Sequence, residues 1–253
     1  MIVALTIFTL AMLAWGVEIL APGRQWPKVH GWIWRVIVLN GFQAIIIWAE
    51  GKYLDTFLIH HRLFSLDKHL SSFWCIFVGY ITLTYVYYWW HRARHASDFL
   101  WLTMHQVHHS PTRIEVITSF YKHPFELVGN GILVSVVCYI LCGLTLKQTM
   151  WVVIMAGVAE LFYHWNIKTP KWLGYIIQRP EQHDVHHERH GHRFNYGDLP
   201  VWDWLHGTYR NPETFNKECG FGTQLEQEFG AMLLCKDVGS KDRLMPGDWK
   251  PTE

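Results

Sequence analysis

SFWCIFVGYITLTYVYYWWHRARHASDFLWLTMHQVHH, residues 72–109, is the stretch whose reading decides this chain. Residues 72–90 are an apolar run of membrane-crossing length, closed by the aromatic string YVYYWW. Two histidine clusters follow: His91 and His95 in HRARH, then His105, His108 and His109 in HQVHH. A third cluster, His183, His186 and His187 in HDVHH, lies further on, and His164 stands one turn past a hydrophobic run between the second and third. On a helix, residues at i, i+3 and i+4 share one face, so each cluster aims two or three imidazoles in one direction. Neutral imidazole is the commonest metal ligand. So many rings so closely spaced point to a polynuclear metal site.

The composition agrees with a membrane setting. Half of the 253 residues are hydrophobic, 15 are Trp, and only 17% are charged, below the ~25% usual for a soluble domain. A net charge of +1 gives no sign of a nucleic-acid partner. Cys75, Cys138, Cys142, Cys219 and Cys235 form no CxxC pair. Those in apolar runs read as small hydrophobes, which argues against zinc-finger or redox-thiol function.

Outward from 72–90, four more apolar runs appear: 2–21, 31–49, and the two arms of a hairpin at 126–146 and 149–165. The expected fold class is all-α, an integral membrane helical bundle of about five spans with a cytosolic helical cap carrying a histidine-ligated dimetal site. Residues 1–190 form the bundle with its histidine-box region, and 191–253 a soluble cap and tail. No basic segment precedes 2–21, which favours a retained span over a cleaved signal. Arg35 is expected to snorkel to the interface. Asn40 and Gln43 should make inter-helix contacts, and Gly129 and Gly131 should allow close helix packing. The amphipathic stretch 51–71 should lie along the membrane surface with His60, His61 and His69.

Parity then brings the clusters together. HRARH closes the third span, and the hairpin crosses and returns, so all three clusters and His164 meet at one membrane face. Arg92, Arg94, Arg113 and Lys122 share that side, which the positive-inside rule makes cytosolic. Five to nine nitrogen ligands exceed the needs of one tetrahedral zinc. They suit two five- or six-coordinate transition metals, with iron the redox-active choice.

The HxxxH and paired HxxHH boxes resemble those of the fatty acid hydroxylase/sterol desaturase superfamily of membrane di-iron enzymes. The likeness runs from about residue 72 to 210. It includes LWLTMHQVHHSP (100–111), SFYKHPFE (119–126), FYHWNI (162–167) and NYGDLPVWDWLHGTY (195–209), with His206 in place of a usual Phe. Carried over residue by residue, it implies nine metal ligands: His91, His95, His105, His108, His109, His164, His183, His186 and His187. No catalytic residue is implied beyond them.

Some relatives carry a second histidine shortly after the position of His164. Lys168 stands there in this chain, so a water held by Asn166 is expected to fill the place. His190 and His192 are runner-up ligands, and His123 is structural or a neighbour of the ligands. Carboxylates should orient the rings and offset the metal charge. Glu160, Asp184, Glu181, Asp98 and Asp203 are the candidates.

The activity implied by the resemblance is that of an O2-dependent oxidoreductase, hydroxylating or desaturating an unactivated C–H bond of a lipid. Two iron ions are its cofactors, with zinc a possible substitute in a purified sample. The chain shows neither a haem-binding HPGG segment nor a flavin fingerprint, so electrons should come from a separate donor, a cytochrome b5-like protein or a ferredoxin with its reductase. The expected location is a bacterial inner membrane or the endoplasmic reticulum. Two rivals stand beside this reading. A zinc-dependent membrane hydrolase would need the HExxH glutamate base, and HHERH (186–190) has its glutamate in the wrong place. A non-catalytic metal-binding membrane protein would need no reaction at all.

Overall fold

The structure, a computed structural model, describes residues 2–239 and contains no strand among them. The end of the expected cap-and-tail segment, 240–253, lies outside the described residues. The helices that frame the histidines are α1 (Ile2–Leu20), α2 (Trp32–Leu58), α3 (Ser72–Ala96), α4 (98–109), α5 (Pro124–Leu141), α6 (Leu146–Tyr163), α7 (Pro180–His186) and α8 (Pro200–Leu205). By length and composition, α2 and α5 are apolar enough to cross a membrane. The other three expected apolar runs correspond to α1, α3 and α6.

Local chemistry sets the starts of the hairpin arms. At α6, the Thr145 side chain accepts the Gln148 N–H at 3.3 Å while the Gln148 side chain accepts the Thr145 N–H at 2.9 Å, a reciprocal cap. At α5, His123 Nδ1 accepts the Phe125 N–H at 3.1 Å, and Pro124 sits in the first turn, where a missing N–H costs nothing.

α6 is the central helix, with α3 packed along it on one side and α1 on another, while α2 runs beside α5. Gly79 permits the close approach near the start of α6: a Cβ there would fall 2.7 Å from Leu144 Cδ1. Around it Cys75, Leu83, Cys138, Leu144 and Val152 form a buried cluster, so these cysteines pack as hydrophobes. The outward faces are also apolar. Phe8, Leu13, Ile45, Trp48, Phe73 and Trp74 are each more than half exposed, which for a chain in water would be an aggregation hazard.

Three local expectations are corrected. First, α2 does not stop at 49. It continues through a π-helical turn, Glu50–Leu54, to Leu58, so only the remainder of 51–71 is loop, with His60, His61 and His69 exposed on it. The extension is tolerated because Ser135 Oγ on α5 donates to Asp55 Oδ1 at 2.7 Å, and Gly131 leaves room for the Glu50 carboxylate. Second, Asn40 Nδ2 donates to the Val36 carbonyl of its own helix at 2.8 Å rather than to a neighbour.

Third, Arg35 is buried instead of snorkelling. The first turns of α2 are covered by later parts of the chain: Trp32, Val36 and Leu39 join Trp101, Tyr121, Phe221 and Met232 in one apolar cluster. Arg35 Nη2 meets Glu226 Oε1 there at 3.0 Å, and the second Glu226 oxygen accepts from Thr112 N–H at 3.1 Å and Thr112 Oγ1 at 2.7 Å. Removing one partner strands a buried charge. Glu226→Ala should therefore lower stability by about 3–5 kcal/mol, read as a drop in Tm in detergent, whereas Arg35→Met with Glu226→Met should recover much of it.

Candidate metal centre

Nine imidazoles, all buried, converge between the ends of α3 and α6 and the short helices α4 and α7. They fall into two groups: His91, His95, His105, His109 and His186 in one, and His108, His164, His183 and His187 in the other. Within each group the ligand nitrogens all lie within 4.8 Å of one another. The rings of His109 and His187 stack where the groups adjoin, centroids 4.3 Å apart and 18° from parallel.

Helix geometry explains the division. At 3.6 residues per turn, i+4 lies about 40° from i around the helix, while i+3 lies about 60° to the opposite side. In HQVHH the i and i+4 rings, His105 and His109, enter the first group and His108 enters the second. HDVHH does the reverse: His183 and His187 enter the second group, and His186 enters the first. Each box lends one ring to the other's group, so a cluster does not point as a unit.

The rings are held so that one nitrogen faces inward. His91 Nδ1 donates to the Tyr196 carbonyl at 2.7 Å, His186 Nδ1 to that of Phe194 at 2.8 Å, His164 Nδ1 to that of Glu160 at 2.9 Å, and His108 Nδ1 to that of Tyr121 at 3.3 Å. These bonds leave Nε2 as the lone-pair atom. The inward nitrogens crowd together, with Nε2 separations of 3.1 Å for His105 and His109, 3.2 Å for His109 and His186, 3.0 Å for His164 and His183, and 3.1 Å for His183 and His187. Ligands about 2.1 Å from a shared metal stand roughly 3.0–3.4 Å apart in octahedral or tetrahedral geometry. His91 Nε2 and both ring nitrogens of His95 are buried without any hydrogen-bond partner. The donor set fits one metal ion in each group.

A family model described as fatty acid hydroxylase matches residues 76–208, more than half of the chain. The chain belongs to the fatty acid hydroxylase family. Among curated proteins it is similar to the ornithine lipid hydroxylase OlsE of Rhizobium tropici, 28% identical over 74% of this chain and 59% of that one. It is similar also to the very-long-chain aldehyde decarbonylase GL1-9 of Oryza sativa subsp. indica, 26% identical over 48% of this chain and 49% of that one. Human alkylglycerol monooxygenase is 28% identical over 64% of this chain and 36% of its own length. The chain thus spans between about a third and three fifths of these relatives. No solved structure matches it significantly.

The fatty acid hydroxylase stretches outside the boxes build the walls. Asp203 in WDWLHGTY accepts the Tyr196 N–H at 2.7 Å, the Gly197 N–H at 2.8 Å and Thr208 Oγ1 at 2.7 Å, and so sets the loop whose Tyr196 carbonyl orients His91. Burial pushes Asp203 up to about 7 against the lowering pull of these bonds. His206 stacks on Tyr88 with ring centroids 5.0 Å apart, filling the aromatic slot of the motif. Trp101, Tyr163 and Tyr196 close over the rings and exclude water, with Trp101 itself fully buried.

The other named candidates lie elsewhere. Glu160 contacts His164 through its carbonyl, while its carboxylate pairs with Lys122. Asn166 pins the chain after α1, donating to the Arg24 carbonyl and accepting the Arg24 N–H, and Lys168 is exposed. Burial pushes Asp184 up to about 8, with Arg24 opposing the shift and Glu181 adding to it. Glu181 holds Thr169 and Arg179. His123 caps α5 and reaches the Leu233 carbonyl at 3.3 Å. Asp98 and His190 are exposed, His190 in a turn with φ 65°. His192 flanks the first group with its ring 4.6 Å from His109, and its Nδ1 donates to the His186 carbonyl at 3.1 Å. Sequence reasoning missed Glu126, which hydrogen-bonds His105, although it closes the quoted SFYKHPFE. It also missed the four carbonyl acceptors, which no side-chain pattern encodes.

Burial holds the rings neutral. It pushes His105, His108, His109, His183 and His187 well below the ordinary 6.5, with neighbouring positive charges adding to the effect, and lowers His164 and His186 to about 3. In the unfolded chain the same rings would protonate near 6.5. The unfolded state thus binds more protons below that value, and stability falls as pH falls. Metal-free protein should show a lower Tm at about pH 5.5 than at about pH 7.5, and an unchanged Tm would mean solvated rings.

Proposed function

We propose that this protein is a membrane-bound di-iron oxygenase that hydroxylates or desaturates an unactivated C–H bond of a lipid, using O2 and electrons from a separate donor protein. The carrying observation is the pair of histidine groups, five rings and four, inside one dry interior. One iron ion in each group would supply the reduction of O2 and the attack on the C–H bond. His91, His95, His105, His109 and His186 would hold the first ion, and His108, His164, His183 and His187 the second.

The chain's own part is positional. The carbonyls of Tyr196, Phe194, Glu160 and Tyr121 keep a proton on the outward Nδ1 of their rings, so the inward nitrogens stay free to ligate. Trp101, Tyr163 and Tyr196 keep bulk water from the rings, which protects reactive chemistry from leakage. Nothing in this arrangement asks a side chain to act as acid, base or nucleophile.

The membrane reading belongs to the same proposal. It has about five spans, a bundle over 1–190, a cap over 191–253, and the metal centre facing the cytosol of a bacterial inner membrane or the endoplasmic reticulum. The outward apolar faces support it, as does the position of the histidines at or beyond helix ends. A lipid would then reach the centre sideways from the bilayer. The relatives' names make ornithine lipids and alkylglycerols the first classes to screen. A cytochrome b5-like protein, or a ferredoxin with its reductase, would supply the electrons.

The test is metal and product together. Protein loaded anaerobically should hold two irons per chain and, given O2 and a reductant, convert a lipid with the gain of one oxygen or the loss of two hydrogens. Product formed without O2, on zinc alone, would sink the proposal. Zinc in an aerobic preparation would not, because Zn²⁺ outcompetes Fe²⁺ at nitrogen sites. His108→Ala and His186→Ala each remove the ring that a box lends to the other group. Either should cut turnover by roughly 100-fold or more, beyond the usual cost of losing an outer partner, while the protein still extracts folded. Wild-type turnover in either variant would count decisively against the assignment.

A further inference from the structure

The two histidine groups differ in the acceptors that stand behind their rings, and one carboxylate sets them apart. Glu126, in the first turn of α5, is fully buried. Its Oε1 accepts from His105 Nδ1 at 3.2 Å and from Arg94 Nη1 in an ion pair. Arg94 Nη1 and His105 Nδ1 lie 3.3 Å apart. Arg94 donates to Glu126 Oε1, and a carboxylate oxygen paired in this way only accepts, so His105 Nδ1 meets it as the donor. That assigns the His105 proton to Nδ1 and turns its Nε2 lone pair toward His109. Among the described residues, Glu126 is the one carboxylate that hydrogen-bonds any of the nine rings. In the second group the Nδ1 acceptors are the neutral carbonyls of Tyr121 and Glu160.

We propose that Glu126 is a positioning residue for one metal ion only: it holds His105 in the ligating tautomer and makes it the strongest donor of the five-histidine group, so that the two sites bind metal with unequal affinity. A carboxylate behind a ligating imidazole raises its basicity and fixes its orientation. Arg94 pairs with the same carboxylate and offsets its charge in a place where burial disfavours the ion. The inference rests on the dimetal reading above and adds the inequality of the sites.

The test uses full-length protein in lipid nanodiscs, stripped of metal and titrated with Co²⁺, whose visible spectrum reports nitrogen ligation without turnover. Wild-type protein should take up two ions per chain. Glu126→Gln should weaken one of them by about 10–100-fold and leave the other unchanged. Glu126→Gln also leaves Arg94 unpaired, so the double variant Arg94→Gln with Glu126→Gln, which buries no unbalanced charge, is measured beside it. If the single variant does not fold, the double variant carries the comparison. The weak site should persist in the double variant. Recovery of wild-type affinity there would make Glu126 merely the counter-ion of Arg94 and overturn the proposal, as would equal weakening of both sites or no weakening at all. Uptake of fewer than two ions by the wild type would instead overturn the dimetal reading, and this inference with it.

Discussion

In a dry interior, two imidazole nitrogens 3.0 Å apart, such as those of His164 and His183, repel unless a proton or a cation lies between them. Protons are a poor solution here, because a neutral N–H bridges one pair only and leaves the opposite ring nitrogen bare, and Nδ1 of His183 and of His187 is buried without a partner. Burial and the surrounding positive groups disfavour imidazolium, and every added charge raises the cost for its neighbours. A divalent cation shared among the lone pairs resolves the conflict for four or five rings at once. The rest of the molecule answers to this requirement: it must deliver nine neutral rings, from four helical segments, to one water-free volume.

Delivery is achieved mostly by backbone. The last turns of α3 supply His91 and His95, His164 caps α6, and α4 and α7 with the capping His187 supply the six box histidines. Backbone carbonyls, three outside the helices and that of Glu160 within α6, then set ring orientations. Asp203 shows how a residue remote from the metal acts: its three hydrogen bonds shape the loop that presents the Tyr196 carbonyl to His91. Backbone acceptors are neutral, so they orient rings without changing the charge of the site. Glu126 is the exception, and it gives one group a property that the other lacks.

The segment 221–232 is tied to α2 by the Arg35–Glu226 pair and the apolar cluster around Trp32 and Trp101. Trp101 belongs to both worlds, packing in that cluster and closing over His95 and His109. Anchoring of that segment and dryness of the metal centre are therefore coupled. The roughly 3–5 kcal/mol at stake in a broken buried pair is large enough that loosening that segment would also wet the rings.

The sequence by itself determined the helical class, the apolar runs and the identity of the nine converging histidines, because these follow from short-range periodicity and from the chemistry of imidazole. Helix period also contains the division of each HxxHH box, though reading a cluster as one face hid it: i+3 and i+4 are about 100° apart, enough to serve two ions. What only the tertiary structure decided lies at long range. Arg35 reads as an interfacial residue until Glu226, distant in sequence, arrives beside it. Glu160 reads as a carboxylate partner until its carboxylate is taken by Lys122 and only its carbonyl remains for His164. Glu126 finds His105 and Arg94 only when α5 returns to α3 and α4. Orientation of a ring is set by whichever acceptor folding places behind it, and a backbone carbonyl carries no sequence signature.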